Sequence, residues 1–247
     1  MSTGKVKQIL LLTDGCSNQG EDPSSVASYA REKGITVNVI GILEEGAAQN
    51  HGMREVEEIA MAGGGVSQVV YANQLARTVQ MVTRQAMTQT LHGVVHKELQ
   101  QILGQNREME DLPPDKRGEV MEVVDELGET VDLEILILVD TSASMKSKLP
   151  MVKEALDDLS ISLTSRSGNN RFSLYLFPGK RNDAEKVISW TPRLSSLQDA
   201  FSRIKMGGVT PTGPALKAAL SSFEKDGRKK RLLGDGEDGV FIEESGT

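Results

Sequence analysis

At 247 residues, with 38% apolar and 26% charged side chains, the chain has the composition of a soluble globular protein of one large or two small α/β domains. A net charge of -7 argues against a general nucleic-acid binder, because phosphate binding wants a basic surface. One cysteine excludes an intramolecular disulfide, and no run approaches the roughly 18 apolar residues of a membrane span or the roughly seven of a signal peptide, so the expectation is a soluble, cytoplasmic protein.

Residues 8–12 read as a buried strand that ends in Thr13-Asp14-Gly15. A helix over 23–33 follows, with Asp22 as its cap, Val26, Tyr29 and Ala30 at helical spacing, and Gly34 at its C-terminal stop. Residues 35–42 are β-branched and apolar, the pattern of a strand covered on both faces. A helix over 53–62 is stopped by Gly63-Gly64-Gly65; a strand over 66–71 comes next. Asn73 can then cap a helix from residue 74 to about residue 89.

The middle of the chain differs. Leu91, Val94, Val95, Leu99, Ile102 and Leu103 form one helical stripe, and Val120, Val123, Val124 and Leu127 a second that Gly128 ends. Pro113-Pro114 cannot be helix interior, so residues 91–131 read as two helices around a proline turn.

From residue 132 the alternation resumes. A strand over 133–139, apolar except for Glu134, runs into Asp140-Thr-Ser-Ala-Ser144. An amphipathic helix over 149–163 follows, then a strand over 172–177, an edge strand over 186–190 carrying Trp190, and a short helix over 197–204. The loop from Gly207-Gly208 to Gly213 leads into a helix over 214–223, with Pro214 in its first turn. Arg228-Lys229-Lys230-Arg231 reads as a solvated helix end, with an anion patch as the alternative. Beyond Gly234 an acidic, glycine-rich tail is expected to be mobile.

Strands separated by helices imply a doubly wound, mostly parallel central sheet with helices on both faces. Sites in such sheets lie at the carboxyl ends of the strands, near a topological switch point. Three segments there are rich in short oxygen-bearing side chains: Thr13-Asp14-Gly15, Asp140-x-Ser142-x-Ser144, and the Thr210 loop. They offer two carboxylates, several hydroxyls and no histidine. A hard divalent cation suits such oxygens, Mg2+ best because it keeps several waters; zinc would lack nitrogen and sulfur ligands. Alternate residues of an extended loop point the same way, so Asp140, Ser142 and Ser144 can converge. Cys16 reads as a small buried residue, with a redox-sensitive thiol as the alternative, and His51, His92 and His96 as solvated or capping residues.

These motifs resemble the von Willebrand factor type A (VWA) domain with its metal-ion-dependent adhesion site (MIDAS). ILILVDTSASM matches the first motif, with Asp140, Ser142 and Ser144; GGVTPTGPAL matches the second, with Thr210 as the ligand and Thr212 as the near alternative; ILLLTDG matches the third, with Asp14. The likeness covers most of residues 5–90 and 132–231. It implies a VWA/Rossmann-like fold and Mg2+, with Mn2+ or Ca2+ as alternatives, held by those five residues. It further implies a regulatory or scaffolding module rather than an enzyme, one that captures an Asp or Glu carboxylate of a protein partner. Bacterial relatives by this likeness include stand-alone regulators and partners of ATPases or kinases.

The motif order departs from the family, because T-D-G comes first here. If residue 231 led into residue 5, Thr210 would precede Asp14 by roughly 30 residues, one helix plus one strand. The chain therefore reads as a circular permutation. Residues 1–90 are the second half of the domain, 91–131 a helical connector, 132–231 the first half, and 232–247 the acidic flexible tail. The connector far exceeds the usual roughly 2–6 residues of such loops, so it packs on the sheet's helices or docks a partner. The rival reading is a Mg2+-dependent phosphohydrolase with Asp140 as nucleophile; the second carboxylate such enzymes place two residues on is Ser142 here. A third is a scaffold whose metal site has decayed.

Overall fold

Apolar, β-branched runs punctuated by polar turns build six strands among the described residues. The computed structural model describes residues 5–15, 17–43, 52–103, 112–194, 197–202 and 208–234. In chain order these are β1 (Lys5–Thr13), α1 (Pro23–Glu32), β2 (Ile35–Leu43), α2 (Gly52–Ala62), β3 (Gly64–Tyr71), α3 (Leu75–Leu103) and α4 (Pro114–Thr130). They continue with β4 (Asp132–Asp140), α5 (Leu149–Leu163), β5 (Asn170–Phe177), β6 (Glu185–Thr191), α6 (Leu197–Ser202) and α7 (Thr212–Gly234). No helix among the described residues is long and apolar enough to cross a membrane.

The strands form one sheet in the order β3-β2-β1-β4-β5-β6. All neighbours pair in parallel except β5 and β6, so the expected edge strand is present and runs antiparallel. The chain leaves β1 toward one edge and returns through β4 toward the other, which makes the β1/β4 boundary the switch point. Their register sets Leu12 beside Val139, so Thr13 and Asp140 end the two strands side by side.

Both faces of the sheet are covered, as the unbroken apolar runs require. On one face Leu10, Leu12, Ile135, Ile137, Phe172 and Leu174 pack against α3 and α5. On the other, Ile9, Leu11, Val37, Val39, Leu136 and Leu138 pack against α1, α2 and α7. Trp190 is half-buried on the second face, its ring centroid 5.0 Å from that of Phe223.

Asp22 caps α1 as expected, its carboxylate accepting from the Ser24 and Ser25 amides at 3.4 and 2.9 Å, and Gly34 takes the left-handed conformation just past the helix. Three expectations need correction. The helix expected to end near residue 89 runs unbroken from Leu75 to Leu103. The lone Gly93 within α3 costs about 1 kcal/mol in a helix, too little to break one held on both sides. The boundary drawn at residue 90 thus falls inside α3. Gly128 does not end α4, which continues to Thr130 with Gly128 buried against the Met87 methyl. And α7 starts at Thr212, two residues before the expected Pro214, and extends to Gly234.

Residues 91–103 with α4 still form a hairpin of two helices. Thr90 on α3 meets Thr36, at the start of β2, at 3.3 Å. Residues beyond Thr90 therefore overrun the amino-terminal edge of the sheet. The return of α4 is anchored by Arg166, which donates to the carbonyls of Gly128 at 2.9 Å and Val131 at 2.8 Å and to the Asn170 side chain. His92 and His96 lie on this overrunning part of α3, at the opposite end from the β1 and β4 carboxyl termini. Cys16, His51, Gly207, the end of the helix expected over 197–204, and the expected tail from residue 235 lie outside the described residues.

Candidate metal centre

The apolar run of β4 carries Asp140 to the top of the sheet and buries it completely. One carboxylate oxygen accepts the Ser142 amide at 2.8 Å, and the other accepts the Thr13 hydroxyl, also at 2.8 Å. That first bond turns the chain sharply after the strand and starts the 3-10 turn Ala143–Met145. Burial pushes the Asp140 carboxyl above the ordinary aspartate range, and the charge of Asp14 pushes the same way; the hydrogen bonds from Ser142 and Thr13 oppose this.

The turn brings the Ser142 and Ser144 hydroxyls to 3.2 Å from one another. Ser144 in turn donates to Asp14 at 2.9 Å. Four predicted residues thus form one connected cluster at the carboxyl ends of the two central strands: Asp140, Ser142, Ser144 and Asp14. Asp14 is also paired with Lys148, whose side chain is nearly buried. Among the described residues no three His, Cys, Asp or Glu side chains group as a metal site; the cluster itself offers two carboxylates with hydroxyls.

The Thr210 loop meets the segment that follows Asp14. The Thr210 amide donates to the Asn18 side-chain oxygen at 2.8 Å, and its carbonyl accepts the Asn18 amide at 3.2 Å. Both Asn18 and Ser17, which approaches the same carbonyl at 3.4 Å, follow Asp14 closely in the chain. Glycines permit the two loops to touch. A Cβ on Gly213 would stand 2.0 Å from the Glu21 carbonyl oxygen, and one on Gly20, whose φ is +90°, 2.3 Å from Pro214. Thr212, the alternative threonine, is buried at the first turn of α7, and its hydroxyl has no hydrogen-bond partner among the described residues.

Three participants were not singled out from sequence. Thr13 was seen only as part of T-D-G, yet its hydroxyl orients Asp140. Lys148 stands four residues after Ser144, a spacing that puts both on one side of a helical turn. Glu55, which accepts the Ser17 amide with both oxygens at 2.9 Å, comes from α2 and left no signal near the motifs.

Two family models bear the description von Willebrand factor type A domain. One matches residues 2–85, the other residues 135–233. Only the stretch around the helical hairpin is left between them. The chain belongs to the von Willebrand factor type A family. A relative in Bacillus subtilis (strain 168), described as the uncharacterized protein YabS, is 62% identical over 237 residues, covering 96% of this chain and 97% of its own. A crystal structure of an uncharacterized protein from Alicyclobacillus acidocaldarius subsp. acidocaldarius DSM 446 is 40% identical with a TM-score of 0.85, covering 92% of this VWA chain and 97% of its own. Proximal thread matrix protein 1 from the mussel byssus, with a zinc-occupied MIDAS motif, matches at 18% identity and a TM-score of 0.30, too distant for its metal to be carried over.

Proposed function

We propose that this VWA domain is a cytoplasmic, metal-dependent protein-binding module, and not an enzyme. Asp140, Ser142, Ser144, Thr210 and Asp14 would hold Mg2+, with Mn2+ and Ca2+ as the other candidates. The observation that carries this is the hydrogen-bonded run from Asp140 through Ser142 and Ser144 to Asp14, built across β1 and β4 at the switch point. Its donors are hard oxygens throughout, and the set is poor in charge, which fits a hard divalent cation that keeps an exchangeable position. The buried, unpartnered hydroxyl of Thr212, two residues after Thr210, is a further oxygen free to ligate. Bound there, such an ion would stay electrophilic and could accept a carboxylate from a partner protein. The chain's own residues orient it: Thr13 fixes the Asp140 carboxylate, and Asn18 fixes the Thr210 loop.

The reading includes a circular permutation. Its supports are the order of the motifs, the separate family matches to the two parts of the chain, and the way α7 returns to β1. Lys5 of β1 pairs with Glu134 at 3.0 Å, Glu134 with Arg171 at 2.9 Å, and Arg171 with Asp226 of α7 at 2.8 Å. This run of ion pairs links α7 through β5 and β4 to the start of β1, at the end of the sheet where an unpermuted chain would connect them.

Asp140→Ala tests the function. The variant should keep its circular dichroism spectrum and lose Mg2+-dependent partner capture, read as the difference between pull-downs in Mg2+ and in EDTA. Capture that is the same for both proteins in both buffers would refute it. Steady turnover of phosphate esters by the wild type, abolished in the same variant, would favour the hydrolase instead.

A further inference from the structure

Lys148 ends the turn that carries Ser142 and Ser144, its amide closing on the Met145 carbonyl at 2.9 Å. Lysine is rarely buried unless paired, because desolvating its ammonium is costly. Here the side chain is only 6% exposed, and the Asp14 side chain it meets only 3%. The ammonium donates to Asp14 Oδ2 and to the Ser144 carbonyl at 3.3 Å, while the Ser144 hydroxyl occupies Asp14 Oδ1. Both oxygens of Asp14 are therefore engaged, one of them by a positive charge.

We propose that Lys148 is a resident counter-cation of the site, whose ammonium competes with a divalent ion for Asp14 and so sets how tightly the metal is held. The inference rests on the reading of Asp14 as a metal-site residue. Two like charges a few ångströms apart in a partly dry corner repel strongly, so the metal and the ammonium cannot both sit close to Asp14 without loss of affinity. The flexible four-carbon stem of lysine lets the head withdraw. Without metal, the ammonium keeps a buried carboxylate compensated and the two loops in register. Lys148 thus stabilises the metal-free domain and weakens its hold on the ion.

Calorimetric titration of Mg2+ into EDTA-stripped wild type, Lys148→Met and Lys148→Arg tests this, together with melting curves in EDTA and in saturating Mg2+. The methionine variant should bind Mg2+ at least about tenfold tighter than wild type, and the arginine variant, which keeps the charge, within about threefold. The methionine variant should also melt lower in EDTA and recover in Mg2+. Unchanged or weaker Mg2+ binding by Lys148→Met overturns the inference, as does equal tightening in Lys148→Arg. A second measurement needs no variant. In wild type labelled with 15N-lysine, one slowly exchanging ammonium signal should be present in EDTA and shift or vanish as Mg2+ is added; a signal indifferent to saturating Mg2+ overturns the inference. If neither wild type nor variant binds Mg2+ at all, the metal reading itself fails, an outcome distinct from binding that ignores residue 148.

Discussion

Asp140 combines complete burial with hydrogen bonds from two neutral donors, and the charge that acts on it is another carboxylate, Asp14. Folding therefore shifts this group toward its protonated form relative to the unfolded chain. The sign follows for stability. Because its folded value lies above the unfolded one, the metal-free protein loses stability from Asp140 as pH rises from the ordinary aspartate range through the raised value. Asp140→Asn should therefore melt higher than wild type in EDTA at neutral pH, and the gap should close as the pH falls. A lower melting temperature for the variant at neutral pH would show that the charged form is well compensated. The aspartates and serines of the cluster were legible in the sequence, because short polar side chains after an apolar strand have few other reasons to recur at that spacing. Thr13 and Lys148 were not, since a hydroxyl inside a strand end and a lysine before a helix both have ordinary explanations.

At the scale of elements, local chemistry placed most starts and stops well. Asp22, Gly34 and the Leu149–Leu163 amphipathic run needed nothing beyond themselves. The helical hairpin did. Its stripes are weak, with Val94 and Val123 about half exposed and Val124 the buried member of the second stripe. What anchors α4 is Arg166, from a turn whose place under the hairpin no periodicity reveals. Arg166→Ala should cost about 2–4 kcal/mol, because it leaves the buried Gly128 and Val131 carbonyls without their donor. Denaturant unfolding measures the loss, and hydrogen exchange should show it concentrated in α4. A change below about 0.5 kcal/mol would mean that solvent replaces the guanidinium freely.

For the whole molecule, the sheet order makes β1 and β4 neighbours although about 120 residues separate them in the chain. The permutation reading predicts that connectivity is exchangeable so long as this neighbourhood is kept. A chain re-cut to begin at residue 112 and end at residue 103, with α7 linked to Lys5 by a flexible glycine-serine segment, should fold cooperatively and keep the Mg2+-induced rise in melting temperature of the parent. A non-cooperative melt, or a folded protein without the Mg2+ response, would show that the hairpin connection is needed for the site.

The sequence by itself determined the doubly wound class, most element boundaries, and the identity of the oxygen-bearing loops. Those depend on residue spacing, capping and apolar runs, which act over a few residues. Only the tertiary structure decided that α3 continues past the sheet, that Thr13 and Lys148 belong to the cluster, and that Gly213 and Gly20 let the Thr210 loop close on the segment after Asp14. Each of these depends on contacts between residues far apart in the chain, where burial and charge pairing outweigh local preference.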